Sequence, residues 1–178
     1  NCGQTCVAPD YLLIDRSVKD AFLERLKFHM NAMVGDALSS GSYVHMINQK
    51  HFDRVCSLIM PQKVVYGGRS DPNTLRIQPT IMDDVRPEDA VMQQEIFGPL
   101  LPVIPYDDIE NALSFIQSRE HPLALYLFSS DKSLQRRVLQ SVPFGGGCIN
   151  DTIIHLATSR MGFGGVGGSG TGSYHGKK

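Results

Sequence analysis

The residues best suited to chemistry stand at the start of the chain, in the stretch Asn-Cys-Gly-Gln-Thr-Cys. Cys2 and Cys6 flank a Gly-Gln-Thr turn, directly ahead of an apolar segment. Thiols can form a disulfide, bind a metal or act as nucleophiles. A nucleophilic thiol needs exposure, an activating environment and backbone donors for the oxyanion that develops. This turn could expose both the thiol and a backbone amide, so all three uses stay open here.

The other cysteines and the histidines add little to these choices. Cys2 and Cys6 alone supply two ligands, and the 6 histidines show no ligand spacing with cysteine or carboxylate, so we predict no metal site. Four cysteines in 178 residues are too few for a disulfide scaffold, which favours reduced thiols and a cytoplasmic location. Cys56 lies on the apolar face of a predicted helix and Cys148 on a predicted strand, so both are expected to be structural.

Composition restricts the class of partner. Apolar residues make up 42% and charged residues 20% of the chain, and the net charge is −1, as in ordinary globular proteins. This charge balance gives no reason to expect nucleic acid as a partner. No apolar run reaches the 18 or more residues of a membrane span, so no membrane segment is predicted.

The elements that must position these residues follow an alternating pattern of strands and helices. A helix after Asp15 carries an apolar stripe of Val18, Phe22, Leu26, Met30 and Met33, which predicts the face that packs on the core. Further helices are predicted over 49–60, 107–118 and 131–141, with short apolar strands between them. Apolar strands separated by helices predict an α/β fold with a parallel sheet covered by helices on both faces.

The glycine-rich tail matches a dinucleotide fingerprint only in form. Gly165, Gly167 and Gly170 have its spacing, but no strong strand leads in and no helical pattern leads out. We therefore predict a close-packed backbone loop, in which glycine is needed for positive φ angles or close approach, rather than a phosphate-binding loop.

Three stretches, taken in order, resemble the catalytic half of the aldehyde dehydrogenase superfamily. They are Asn-x-Gly-Gln-Thr-Cys at 1–6, Gln-Glu-Ile-Phe-Gly-Pro at 94–99 and Phe-Gly-Gly-Val-Gly-x-Ser-Gly-x-Gly at 163–172. The stretches CVAPDY, PLALYLFS and GSYHGK are similar to the class 3 and fatty-aldehyde branch. The resemblance covers essentially the whole chain.

The resemblance implies a role for each matching residue. Cys6 would be the nucleophile, forming a thiohemiacetal and then a thioester with the aldehyde substrate. Glu95 and Phe97 would hold the ribose and flank the nicotinamide of NAD or NADP. Asn1 would help to fix the cysteine loop, and Phe163 would lie near the substrate and cofactor. Cys2 falls at a variable position of the motif and is expected to stay outside the chemistry.

The resemblance also implies that the chain is a fragment. Residues 1–178 would form a single catalytic domain, without the cofactor-binding domain, general-base glutamate and oxyanion asparagine that the family has upstream, and without its C-terminal dimerisation segment. We therefore expect the isolated chain to be inactive and the full-length enzyme to be a homodimer. Gly162 stands where the family usually has proline, which should loosen that turn.

Two other classes of function stay open. One is a cysteine-dependent acyl-transferase or hydrolase, in which His155 or His175 would be the base for Cys6. The stretch at 94–99, for which such an enzyme has no need, counts against it. The other is a non-catalytic α/β module that binds a partner through an exposed apolar face.

Overall fold

A computed structural model describes residues 1–176 of the chain and confirms the predicted α/β class. The backbone contacts divide it into two compact units, the first being Asn1–Asp107 and the second beginning at Asp108. Among residues 1–176, no helix has both the length and the apolar character needed to cross a lipid bilayer.

The first unit is built around a mixed four-stranded sheet. The elements of this unit are β1 (Leu12–Asp15), α1 (Arg16–Val34), α2 (Gln49–Ser57), β2 (Val64–Tyr66), β3 (Ser70–Asp71), β4 (Arg76–Ile77), β5 (Thr80–Met82) and β6 (Leu100–Tyr106). The strands of the sheet are ordered β1-β6-β5-β2, and a separate hairpin joins β3 to β4. The pairs β1–β6 and β5–β6 are parallel, as predicted, whereas β2 runs antiparallel to β5.

Helix α1 forms where the sequence predicts it, but its buried face differs from the predicted stripe. The Asp15 carboxylate caps its first turn by accepting a hydrogen bond from the Ser17 backbone N–H at 2.9 Å. Of the predicted stripe, Leu26 and Met30 pack on the core, but Val18 is 53% exposed, Phe22 is 40% exposed and Met33 is 85% exposed.

The buried face of α1 differs from the predicted stripe because of an ion pair that the apolar pattern does not reveal. The Lys19 ammonium is largely buried and lies 2.6 Å from the Asp83 carboxylate and 3.2 Å from that of Asp84. A buried charge requires such a partner, so Lys19 must face the sheet. Leu23, one turn further along α1, then enters the core with Ile14, Ile81 and Val103.

The second unit repeats the strand and helix alternation on a smaller scale. Its elements are α3 (Ile109–Gln117), β7 (Ala124–Leu127), α4 (Lys132–Ser141) and β8 (Gly146–Ile149). Strands β7 and β8 pair in parallel, and Leu113, Val138 and Val142 form the apolar core of this unit. The Asp108 and Asp131 carboxylates cap its two helices by accepting hydrogen bonds from backbone N–H groups of the first turn.

The described part of the glycine-rich tail is a loop, as predicted. Phe163 and Tyr174 form an antiparallel bridge that closes it, and Gly167 and Gly170 have φ values of 60° and 151°. Only a three-residue 3-10 turn, Gly167–Ser169, occurs inside it. The fingerprint spacing therefore opens no α-helix onto which a pyrophosphate could bind.

Candidate active site

The Cys6 thiol is presented at the surface of the first unit. Its side chain is exposed, and within residues 1–107, all of which are described, neither its thiol nor its backbone N–H makes a hydrogen bond. Cys2 and Gly3, four and three residues before it, have φ values of 63° and 71°. Two successive left-handed residues turn the chain sharply, and the thiol follows that turn.

The other thiol of this loop is buried. Cys2 is 7% exposed, and its sulfur lies 3.4 Å from the Tyr43 hydroxyl. Burial raises the pKa of the Cys2 thiol, although the hydrogen bond between Cys2 and Tyr43 acts in the opposite direction. A thiol that is both covered and hard to ionise is a poor nucleophile, which favours Cys6 for that role.

The side chain of Gln4 connects residues 1–6, here called the cysteine loop, to residues 45–47. Its amide nitrogen donates to the His45 carbonyl at 3.1 Å, and its amide oxygen accepts from the Ile47 N–H at 2.9 Å. The same nitrogen donates to the Asn1 carbonyl at 3.1 Å. Asn1 therefore takes part in fixing the loop through its backbone carbonyl, while its side chain role stays a prediction.

The cysteine loop packs directly against the loop that carries Glu95 and Phe97, here called the 94–99 loop. A Cβ atom on Gly3 would lie only 2.2 Å from the Gly98 carbonyl oxygen, so the two backbones touch where Gly3 has no side chain. A second link lies four residues after Cys6, where the Asp10 carboxylate accepts a hydrogen bond from the Ile96 N–H at 2.8 Å.

Arg54 of α2 holds the 94–99 loop from its other side. Its guanidinium donates to the Glu95 carbonyl at 3.1 Å, to the Ile96 carbonyl, and to the Gln94 side chain at 3.2 Å. Bonds from a charged donor are stronger than neutral ones. They hold the loop in a shape in which Phe97 has a φ of 47°, a value that is uncommon for an aromatic residue.

The exposed side chains of this loop fit the group that the sequence motif predicts. The Glu95 carboxylate is exposed and makes no hydrogen bond within residues 1–107, and the Phe97 ring is 38% exposed. An ionised carboxylate accepts hydrogen bonds from two neighbouring hydroxyls, as on a ribose. An exposed aromatic ring can lie against a planar heterocycle. The residues therefore fit a nicotinamide nucleotide.

Phe163 belongs to the second unit. It is partly buried, pairs through its backbone with Tyr174, and its ring centroid lies 6.3 Å from that of His155. His155 is 8% exposed, and its Nδ1 lies 3.7 Å from the Cys148 sulfur. The structure thus gives His155 a thiol neighbour in its own unit. Its role as a base for Cys6, and that of His175, stay predictions.

Sequence reasoning missed the residues that hold the two loops in place. Arg54 contacts residues about 41 positions away, and Asp10 contacts a residue 86 positions away. Neither contact has a local sequence signal, because both depend on how distant segments pack. Among residues 1–176, no group of three or more metal-binding side chains lies together.

The chain was compared with known proteins by sequence and by structure. The model of the aldehyde dehydrogenase family matches residues 1–178. A 4,4'-diaponeurosporen-aldehyde dehydrogenase of Staphylococcus aureus is 46% identical over 99% of this chain and 39% of its own length. The dimeric NADP-preferring aldehyde dehydrogenase of Bos taurus is 46% identical over 100% of this chain and 75% of its length. Aldehyde dehydrogenase family 3 member A2 of Rattus norvegicus is 46% identical over 99% of this chain and 37% of its own length.

Solved structures give the same result. The substrate-bound state of an aldehyde dehydrogenase of Staphylococcus aureus superposes with a TM-score of 0.95 at 45% identity, covering 98% of this chain and 39% of that one. A Mycobacterium tuberculosis aldehyde dehydrogenase complexed with NAD⁺ has a TM-score of 0.82 at 27% identity and covers 98% of this chain and 38% of that one. In several of these relatives, the matched part is about two fifths of the whole length.

Proposed function

The chain belongs to the aldehyde dehydrogenase family, and we propose that its Cys6 is the nucleophile with which the enzyme oxidises an aldehyde to a carboxylic acid. One observation carries this proposal. The Cys6 thiol is exposed, and its own backbone N–H is left without a hydrogen bond inside the first unit, beside the 94–99 loop. Nucleophile and oxyanion donor are thus supplied by the same residue.

The chemistry follows from that arrangement. The Cys6 thiolate adds to the carbonyl carbon, a C–S bond forms, and the new alkoxide accepts a hydrogen bond from the Cys6 N–H. A nicotinamide nucleotide held at Glu95 and Phe97 would supply the acceptor for the hydride that leaves this carbon. The carbonyl re-forms as a thioester on Cys6. Water then adds to the thioester, the C–S bond breaks, and Cys6 departs as thiolate while the acid is released.

Glu95 and Phe97 are proposed to hold the cofactor. The Glu95 carboxylate accepts hydrogen bonds from the ribose hydroxyls, and the Phe97 ring limits the position of the nicotinamide. The 94–99 loop touches the cysteine loop where Gly98 meets Gly3, so this contact helps to set the position of the cofactor relative to the nucleophile. Relatives are named NADP-preferring or occur as complexes with NAD⁺, which supports either nucleotide for this chain.

We also propose that residues 1–178 do not turn over by themselves. No side chain within the first unit hydrogen-bonds to Cys6 as a base would, so neither ionisation of the thiol nor hydrolysis of the thioester is assisted there. Incubating the 178-residue chain with NAD(P)⁺ and a panel of hydrophobic and aromatic aldehydes should give no reduced cofactor. Sustained production of reduced cofactor would contradict this.

The experiment that tests the role of Cys6 is substitution in the full-length protein. Cys6→Ser is expected to lower kcat by about a thousandfold or more, because serine at neutral pH is a much weaker unassisted nucleophile and a poorer leaving group. Cys56→Ala removes a partly buried thiol of α2 and should leave kcat within about twofold. Wild-type turnover by Cys6→Ser would refute the proposal.

A homodimeric assembly and a cytoplasmic location complete the proposal for the full-length enzyme. The bovine relative is named dimeric, which supports the first. The second rests on four cysteines that are all free in the structure.

A further inference from the structure

We propose that Gln4 is a positioning residue for the reaction, and that its side-chain amide fixes the turn from which Cys6 reaches the substrate. The proposal rests on the proposed function of Cys6. It assigns to Gln4 no contact with the substrate or cofactor. Its effect on catalysis is transmitted entirely through the backbone between Gln4 and Cys6.

The side chain of Gln4 uses its donor and acceptor groups together. The amide nitrogen donates to the carbonyls of Asn1 and His45, each at 3.1 Å, and the amide oxygen accepts from the Ile47 N–H at 2.9 Å. All three partners are backbone atoms. The first bond closes the turn on itself, and the other two attach the turn to a different segment of the first unit.

Residues 43–47, which include the segment that Gln4 contacts, are themselves fixed by other parts of the first unit. Met46 is fully buried, and its N–H donates to the Leu75 carbonyl at 2.9 Å, next to the hairpin of β3 and β4. Tyr43 contacts the buried Cys2 thiol at 3.4 Å. Gln4 therefore links the cysteine loop to residues that are already held in place rather than to a second unattached loop.

Cys6 has no such anchor of its own within the first unit. Its thiol and N–H make no hydrogen bond there, so its orientation is set by its neighbours in the chain. Gly3 contacts Gly98 on one side, and Gln4 reaches 45–47 on the other. Since a misplacement of about 1 Å can cost about a hundredfold in rate, a loss of the Gln4 anchor should be seen in catalysis.

The chemistry of the site requires an amide. An ionised glutamate has nearly the same shape but only accepts hydrogen bonds, so it would keep the bond from the Ile47 N–H and face the two carbonyls with no donor. Methionine has a similar length and makes none of the three bonds. Both substitutions should therefore release the turn from its support, while the side-chain volume is retained.

The test uses the full-length protein with Gln4→Glu and Gln4→Met. The matched control is Gln117→Glu, because the Gln117 amide also donates to a backbone carbonyl, that of Ser141 at 2.8 Å, but in the second unit. We expect kcat to fall between about tenfold and a hundredfold in both Gln4 variants, with the cofactor KM changed less than about threefold. Gln117→Glu should keep the wild-type kcat.

Two further readouts separate positioning from simple loss of structure. The melting temperature of each Gln4 variant of the full-length protein should stay within about 4 °C of the wild type, the upper limit expected for a loss of about 1 kcal/mol in a protein of about 150 residues or more. The rate at which iodoacetamide alkylates Cys6 should stay within about threefold of the wild-type rate, because a small reagent in free solution can reach the exposed thiol in any orientation.

The outcomes are distinguishable. A Gln4→Glu variant with the kcat of Gln117→Glu overturns the proposal, and so does a kcat loss accompanied by a melting temperature lowered by more than about 10 °C. In either case Cys6→Ser still decides the proposed function separately. An inactive Cys6→Ser beside a fully active Gln4→Glu leaves Cys6 as nucleophile and removes Gln4 from the mechanism.

Discussion

Replacing Gly3 by alanine should break the contact between the cysteine loop and the 94–99 loop. The added Cβ would lie 2.2 Å from the Gly98 oxygen and 2.7 Å from its carbonyl carbon. Non-bonded heavy atoms attract at separations of about 3.5–4.0 Å and repel steeply below them. Both atoms belong to the backbone, so no flexible side chain can move aside, and one of the two loops must shift.

The expected loss of stability is the sum of two costs. Gly3 has a φ of 71°, and an alanine in the left-handed region costs about 1–2 kcal/mol. Overpacking against a fixed neighbour costs about 1–3 kcal/mol more. Gly3→Ala should therefore lower the free energy of unfolding by about 2–5 kcal/mol. Because the displaced backbone carries Glu95, the cofactor KM of the full-length protein should rise as well.

Urea denaturation of Gly3→Ala measures this loss, with two glycines as controls. Gly41→Ala meets nothing within 4 Å and has no positive φ, so it should change the free energy of unfolding by less than about 1 kcal/mol. Gly172→Ala meets nothing within 4 Å but has a φ of 77°, so it isolates the cost of strain. If Gly3→Ala were as stable as Gly41→Ala, the two loops would not touch as described.

Three further predictions concern other residues. Arg54→Met should raise the cofactor KM of the full-length protein about tenfold, because charged donors no longer hold the loop of Glu95. Burial lowers the pKa of His155 below 6.5, so in mild acid the unfolded chain binds a proton at His155 more readily than the folded chain does. The contribution of neutral His155 to the free energy of unfolding is therefore fully present above pH 6.5 and should be lost as the pH falls below it. Iodoacetamide at neutral pH should alkylate Cys6 at least about tenfold faster than Cys2, which is covered.

Each of these has a matched measurement. Steady-state kinetics of Arg54→Met is compared with Arg25→Met, an exposed arginine of α1, and equal cofactor KM values would contradict the role of Arg54. Urea denaturation at pH 7.5 and 5 is compared with His155→Gln, which should lose the part of the pH dependence that belongs to His155. Fragment ions of the peptide that contains both cysteines, recorded after brief alkylation, report the two thiols separately, and equal labelling would exclude the described burial of Cys2.

Local patterns were enough to predict most of the elements but not the face on which each one packs. The predicted helices over 107–118 and 131–141 match α3 and α4 within a few residues. The stripe that starts at Val18 is only partly correct as a core face. Leu26 and Met30 pack on the core, whereas the first turn of α1 directs Lys19 inward to pair with Asp83, which lies 64 positions further on. The antiparallel pairing of β2 is equally invisible, since pairing direction depends on the path of the whole connection.

The candidate site shows the same division. The motifs identify Cys6, Glu95 and Phe97 as chemical groups, and the structure brings their two loops together at Gly3 and Gly98. The residues that hold those loops have no motif of their own. A partly buried arginine that donates to two carbonyls is recognised only once distant segments are placed, because the signal is the contact itself.

Rapid quenching of the full-length protein with an aldehyde and NADP⁺, followed by peptide mass spectrometry, tests the central role of Cys6 most directly. Fragment ions of the peptide that contains both Cys2 and Cys6 should place the acyl group of the thioester on Cys6 and on no other cysteine, and the group should disappear as water is allowed to react. Turnover with an acyl group on Cys2, or with no acyl-cysteine at any quench time, would contradict the account.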